Sequence, residues 1–280
     1  TWSAARGPAL LAPAFLRMRI RRLVVRGRFQ DLSAQDLVVA GFPKAGSTWV
    51  RFVLVDHFTG ADPQSFADVD RISPEVGSHR QAPVLAGLGG RLLKTHEQAG
   101  ALPGARVKTI YVARDARDVA VSLFHYLRRR GAYSGDFDSY FDAFIEGRVL
   151  PYGSWAEHAE GWIALEKRHP SYVAVVRYED LLLNGYSPLS DGLRRLNYGV
   201  DERDLALSME RNTAAAMRKK EAATPPESFR ESSEGTTSIP FVRAATSGDW
   251  SNTISEAQEH RLLERFGGTL RALGYDTPGS

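Results

Sequence analysis

The chain has 280 residues with 43% hydrophobic content, enough to bury the core of one large α/β domain or two small ones. Its 36 basic residues nearly balance 33 acidic ones, and the resulting charge of +3 excludes the strongly basic make-up of a nucleic-acid binder while suiting a holder of small anions. Cysteine is absent, which excludes disulfide scaffolds and thiolate metal sites and makes a cytoplasmic location the default expectation.

Residues 1–36 read as an N-terminal extension. No apolar run reaches the roughly 18 residues of a membrane span, and apolar 9–16 precedes its basic residues, the reverse of a signal peptide. The first residue is Thr1 rather than methionine, as expected of a trimmed or excised piece. Over 15–29, Met18, Ile20, Leu23, Val24 and Val25 are mixed with Arg17, Arg19, Arg21, Arg22, Arg26 and Arg28. This predicts a basic amphipathic helix, expected as a solvated helix packed on the domain rather than a membrane or partner contact.

Leu37-Val38-Val39-Ala40 is an apolar run ending at Gly41. A polar turn follows, Phe42-Pro43-Lys44-Ala45-Gly46-Ser47-Thr48, and Trp49, Val50, Phe52, Val53 and Val55 then recur with helical spacing. The pattern predicts strand, loop and helix. Unpaired N–H groups and the positive dipole end at a helix start make such a turn an anion site, to which Ser47 and Thr48 add hydroxyl donors. Gly41 and Gly46 have the spacing of a nucleotide-triphosphate P-loop, but the lysine of that pattern directly follows the second glycine, whereas Lys44 precedes Gly46 by two residues. Lys44 is thereby placed to reach the bridging atoms of a phosphate ester.

Residues 59–90, rich in Asp, Ser, Pro and Gly, read as a long irregular connection expected to hold part of an acceptor pocket. Arg91-Leu92-Leu93-Lys94-Thr95-His96 is a short strand ending in two ionisable side chains. Strand ends are where α/β sheets place chemistry and histidine is the commonest base near neutral pH, yet a single histidine among seven is equally a packing residue. Thr109-Ile110-Tyr111-Val112-Ala113 has the unbroken apolar character of a strand buried on both faces. It ends at Arg114, where a magnesium-dependent triphosphatase would place an acidic ligand; arginine suits a phosphate instead. Asp115 is the expected N-cap of the next helix with Asp118 as its acidic partner, and His125 within that helix reads as packing. The aromatics Tyr133, Phe137, Tyr140, Phe141 and Phe144 read equally as an acceptor-site wall or as helix core. Residues 173–181 give another buried strand and turn, and Lys219–Ile239 reads as a mobile loop.

Several segments resemble the cytosolic-type sulfotransferases, a family that uses 3′-phosphoadenosine 5′-phosphosulfate (PAPS). Pro43-Lys44-Ala45-Gly46-Ser47-Thr48-Trp49 resembles the family's PKSGTTW loop, and Lys94-Thr95-His96 matches its KTH element, whose histidine is the catalytic base. Tyr111–Ser122 is similar to YVARNPKDVAVS, whose arginine and serine hold the 3′-phosphate; Asp115 replaces the asparagine, which leaves capping intact. Gly153-Ser154-Trp155 with His158 and Trp162 resembles YGSW…H…GW, Tyr178 matches a tyrosine near the adenine, and Thr213 a threonine that contacts it, although the accompanying phenylalanine is Ala215. Phe241–Asn252 resembles FxRKGxxGDWKN with Arg243 kept but Ala244 and Ala245 in place of lysine and glycine, so one 3′-phosphate cation is lost and a weaker PAPS affinity is expected unless Lys219 or Lys220 compensates. The dimer signature K-x-x-x-T-V-x-x-x-E is unmet, with Ser251, Ser255, Glu256 and His260 in its places, so the oligomeric state is left open.

The resemblance implies one sulfotransferase domain over 37–280, an α/β, three-layer P-loop-like fold with a central, mainly parallel sheet flanked by helices. It implies sulfuryl transfer from PAPS to a hydroxyl of a small-molecule acceptor, leaving 3′-phosphoadenosine 5′-phosphate (PAP), without a metal. The implied catalytic residues are His96, Lys44 and Lys94. The implied cofactor residues are Lys44, Ala45, Gly46, Ser47, Thr48, Trp49, Arg114, Ser122, Tyr178, Thr213 and Arg243. The alternatives are a P-loop small-molecule kinase and a nucleotide-binding domain without turnover.

Overall fold

The apolar runs are continuous because each strand is buried on both sides. The computed structural model describes residues 25, 27–29, 31–102, 107–224 and 247–277. In chain order its first half holds β1 (Leu37–Gly41), α1 (Ser47–Thr59), α2 (Phe66–Ile72), β2 (Leu92–Thr95), β3 (Lys108–Ala113), α3 (Ala116–Arg129) and α4 (Phe137–Ile145). There follow α5 (Trp155–Arg168), β4 (Val173–Arg177), α6 (Tyr178–Asn184), α7 (Ser187–Arg195), α8 (Glu202–Arg211), α9 (Ala214–Ala223) and α10 (Glu256–Ala272).

The strands form a parallel sheet in the order β2-β1-β3-β4, with Val39 opposite Lys94 on one side and Ile110 on the other. Alternate side chains feed two cores. Val38, Ala40, Leu93, Tyr111, Ala113 and Val173 join α3, α4, α5 and α10 on one face. Leu37, Val39, Leu92, Ile110, Val112 and Ala174 join α1, α2 and α6 to α9 on the other. This is the three-layer arrangement expected from the sequence. The C-terminal ends of β1, β3 and β4 lie side by side, and the site is built there.

Four expectations change. The stretch 59–90 is not irregular throughout: Ser65 and Asp68 form a capping box that starts α2. Asp115 caps α3, accepting from Arg117 N, but Asp118 is not its box partner; its carboxylate accepts instead from the backbone N–H groups of Gly248 and Trp250. The aromatics of 133–144 resolve to helix core, with Tyr133, Tyr140, Phe141 and Phe144 buried against α3 and α10. Lys219 to Ala223 are helical, in α9, rather than loop. Val25 and Phe29 are buried in the first core. The rest of the basic 15–29 segment except 27 and 28, the loop over 225–239, and Arg243, Ala244 and Ala245 lie outside the described residues.

Candidate active site

The loop after β1 is held in a shape few sequences adopt. Gly46, immediately before α1, has φ 100°, and a Cβ there would come within 2.5 Å of the Tyr178 ring. Lys44 is a non-glycine residue with φ 74°, a conformation that costs L-residues about 1–2 kcal/mol. Its ammonium lies 4.9 Å from the centre of the Tyr126 ring. Ala45 and Ser47 are buried and Thr48 half-buried, and the first N–H groups of α1 have no acceptor within the helix and no side-chain cap from Gly46.

Neighbouring strand ends supply the walls. Arg114, just past β3, donates to the Lys44 carbonyl at 3.3 Å and lays its guanidinium over the Tyr178 ring at 4.5 Å. Tyr178, the first residue after β4, is buried and meets Trp49 edge-on at 5.6 Å. Trp49 Nε1 donates to the Asn212 carbonyl at 2.7 Å, which brings in Thr213, the exposed N-cap of α9. Ser122 is half-buried one turn before Tyr126, on the face of α3 that carries the ring under Lys44. The structure thus brings together Lys44, Ala45, Gly46, Ser47, Thr48, Trp49, Arg114, Ser122, Tyr178 and Thr213.

His96, just beyond β2, reaches the same place from the other side. Its Nδ1 lies 2.7 Å from the Gly41 carbonyl oxygen. A carbonyl only accepts, so Nδ1 carries the proton and Nε2 keeps its lone pair. Burial holds the imidazole below its ordinary pKa; the Gly41 carbonyl opposes this, Lys94 and Arg51 reinforce it, and Glu75 counters them. A neutral histidine with a free Nε2 is the form a general base requires.

Lys94 leans away from the sheet toward α2. Its Nζ lies 3.8 Å from Asp70 and 4.0 Å from Glu75, while Arg51 donates to Asp70 at 2.8 Å. Burial lowers its pKa, Arg51 adds to this, and the two carboxylates offset part. Lys220 is buried, its ammonium held by Asp62 and by Asn212 Oδ1 at 2.7 Å, so it does not replace the missing lysine at 244; Lys219 is exposed.

Sequence reasoning missed the parts played by four residues. Asp118 ties Gly248 and Trp250 to α3. Burial raises its pKa, with the Arg114 charge acting against this. Arg117, paired with Asp115 and Glu259, stacks on Trp250 at 4.3 Å. Asp70 and Glu75 hold Lys94. The signal for the first two was the Gly248-Asp249-Trp250 run, which needs a partner; nothing in the sequence marks Asp70 or Glu75. Among the described residues, no group of three or more His, Asp or Glu is placed as metal ligands, and no helix is long and apolar enough to cross a membrane.

A family model described as "Sulfotransferase domain" matches residues 34–274. The chain is 30% identical over 261 residues to sulfotransferase 1A1 of Canis lupus familiaris, covering 88% of this chain and 87% of that protein. It is 27% identical over 275 residues to sulfotransferase 1C2 of Oryctolagus cuniculus, covering 89% and 88%. Among solved structures, retinol dehydratase in complex with androsterone and inactive cofactor PAP has the same fold, with TM-score 0.73, 19% identity and coverage of 92% of this chain and 88% of that one.

Proposed function

Since the chain belongs to the sulfotransferase domain family, we infer that it transfers a sulfuryl group from PAPS to a hydroxyl of a small-molecule acceptor and releases PAP. The observation that carries this reading furthest is the histidine at the edge of the phosphate loop, fixed through Nδ1 to Gly41 with Nε2 left to accept a proton.

Bound PAPS supplies the activated sulfuryl group and a phosphate leaving group. His96 Nε2 takes the proton of the acceptor hydroxyl as its oxygen attacks sulfur. Lys44, the N–H groups at the start of α1, and the Ser47 and Thr48 hydroxyls meet the negative charge that grows on the bridging oxygen as its bond to sulfur breaks. Ala45 and Gly46 let the backbone close on the phosphate. Lys94 supports the transferring group after exchanging its contacts with Asp70 and Glu75. Arg114 and Ser122 hold the 3′-phosphate together with Arg243, and Trp49, Tyr178 and Thr213 hold the adenine. Holding both reactants in line supplies much of the rate. Residues 37–280 act as one domain in this reading, and a cytoplasmic location goes with it. Retinol and androsterone, bound in the retinol dehydratase structures, head an acceptor screen.

Calorimetric titration with PAP, ADP and ATP, first without metal and then with Mg²⁺, tests the reading. Selective PAP binding is expected; preference for ATP with Mg²⁺ would replace it by a kinase, and failure to bind any of the three by a fold without turnover. His96→Ala should lower kcat by about 10²-fold or more while leaving PAP affinity within about twofold. Equal loss of both would make His96 structural.

A further inference from the structure

We propose that Tyr111 and His158 form a positioning pair that fixes the base His96 through its main-chain carbonyl; this rests on the assignment of His96 made above. His158, in the first turn of α5, is fully buried, and Tyr111, in the middle of β3, is 1% exposed. His158 Nε2 lies 3.1 Å from the His96 carbonyl oxygen, and its Nδ1 lies 3.1 Å from the Tyr111 hydroxyl.

The proton positions follow from the partners. The His96 carbonyl only accepts, so Nε2 of His158 carries hydrogen. Burial depresses the pKa of this imidazole to about 4, so it is neutral, and Nδ1 must accept from the Tyr111 O–H. Three donations then run in one direction: Tyr111 O–H to His158, His158 Nε2–H to the His96 carbonyl, and His96 Nδ1–H to the Gly41 carbonyl. His96 is gripped at both main chain and side chain, and the one polar ring atom the series leaves over is its Nε2. On the far side, Glu97 N donates to Thr95 Oγ1 at 3.1 Å, so the turn carrying the base is pinned at the residues flanking it as well.

The surroundings keep the relay in register. Phe42 meets the His158 ring edge-on at 5.5 Å, and Tyr111 stacks on Trp162, one turn along the same helix, at 5.4 Å and 13°. A phenylalanine pair would remove the bond between the two rings at little cost, since replacing both members of a buried hydrogen bond by apolar groups is close to neutral, but it would take the His158 donor from the His96 carbonyl. The polar pair is accounted for by what it holds: the main chain at the base, the His96 carbonyl with the Glu97 backbone beside it.

The test compares His158→Gln, His158→Asn, His158→Phe and Tyr111→Phe in the full chain, reading kcat, acceptor KM, PAP affinity and histidine ¹⁵N shifts. Glutamine places a donor near the former Nε2, and asparagine does not. The expected result is that His158→Phe and His158→Asn lose kcat by about tenfold or more with KM and PAP affinity within about twofold, and that His158→Gln recovers most of the rate. In the unsubstituted protein ¹⁵N shifts should show His158 protonated at Nε2 only and His96 at Nδ1 only. Tyr111→Phe should shift the His158 Nδ1 resonance by removing its donor while the His96 carbonyl keeps the proton on Nε2, and His158→Phe should loosen His96 enough to mix its tautomers. Full activity in His158→Phe, no recovery in His158→Gln, or a His158 protonated at Nδ1 would overturn the proposal. The spectra need no turnover. If the chain binds PAP yet transfers nothing to any acceptor, the assigned activity fails, while the tautomers still decide whether the relay exists.

Discussion

Two residues of the phosphate loop share a left-handed backbone, and they answer to substitution in opposite ways. Gly46 has φ 100° with the Tyr178 ring against its Cα, so Gly46→Ala adds about 1–2 kcal/mol of backbone strain and displaces the ring that Arg114 and Trp49 pack on. Urea denaturation should show the loss, and PAP titration a weakened affinity; unchanged values in both would mean the loop relaxes freely. Lys44 bears the same kind of strain with φ 74°. Lys44→Gly should therefore unfold at higher urea than Lys44→Ala by about 1 kcal/mol, although both lack the ammonium and should turn over poorly. At this scale the sequence was legible wherever a residue type permits few conformations or few partners, as with Gly46 in the loop. It was silent on where a long cation ends. Lys94 and Lys220 read as anions' partners in general, and only packing shows that carboxylates within the chain hold them, Asp70 and Glu75 for the first and Asp62 for the second.

Among the elements, α3 has two tasks. Its first residues follow Arg114, and its buried Asp118 faces sideways to receive the N–H groups of Gly248 and Trp250. Removing those bonds with Asp118→Ala forfeits about 1–3 kcal/mol of charge-assisted anchoring and should weaken PAP binding roughly tenfold or more. Limited proteolysis should also quicken around 247–252. An affinity and cleavage rate like those of the unsubstituted chain would show that the anchor carries nothing. Asp118 looked like half of a capping box because spacing along a helix is visible in sequence and contacts across 130 residues are not. The same reason hid α2, a short helix whose Ser65 and Asp68 cap was present in a stretch dominated by Pro and Gly. The strand, loop and helix over 37–59 was plain because apolar continuity, two glycines and helical spacing all agree.

For the whole molecule, four histidines, at 57, 79, 96 and 158, are held below their ordinary pKa chiefly by burial. The unfolded chain takes up these protons as pH falls below about 6.5, whereas folded His158 resists until about 4. Between those values the unfolded state binds more protons, so stability declines as pH drops, by about 3 kcal/mol for His158 alone. Urea denaturation from about pH 7 to about pH 4 should show this slope, and a shallower one in His158→Gln; a flat profile would mean these rings titrate normally. The layered architecture itself was readable, because double-sided burial leaves unbroken apolar runs in β1, β3 and β4.

Asn212 gives the phosphate loop a further property. Its carbonyl receives the Trp49 indole, while its side-chain amide donates to Asp56 and to the Ser208 carbonyl and its side-chain oxygen receives Lys220. Asp56, buried in α1, is also gripped by Arg211. The helix that presents the loop is therefore bolted to α8 and α9 near both its first turn and its last, before any nucleotide arrives. A loop ordered in advance has little freedom left to surrender on binding, so contacts with an incoming phosphate translate into affinity with small entropic loss. On the proposed reading the anion site is held in advance by these bonds, and its tolerance to change is set as much by residues at the far end of α1 as by those that would touch the ligand.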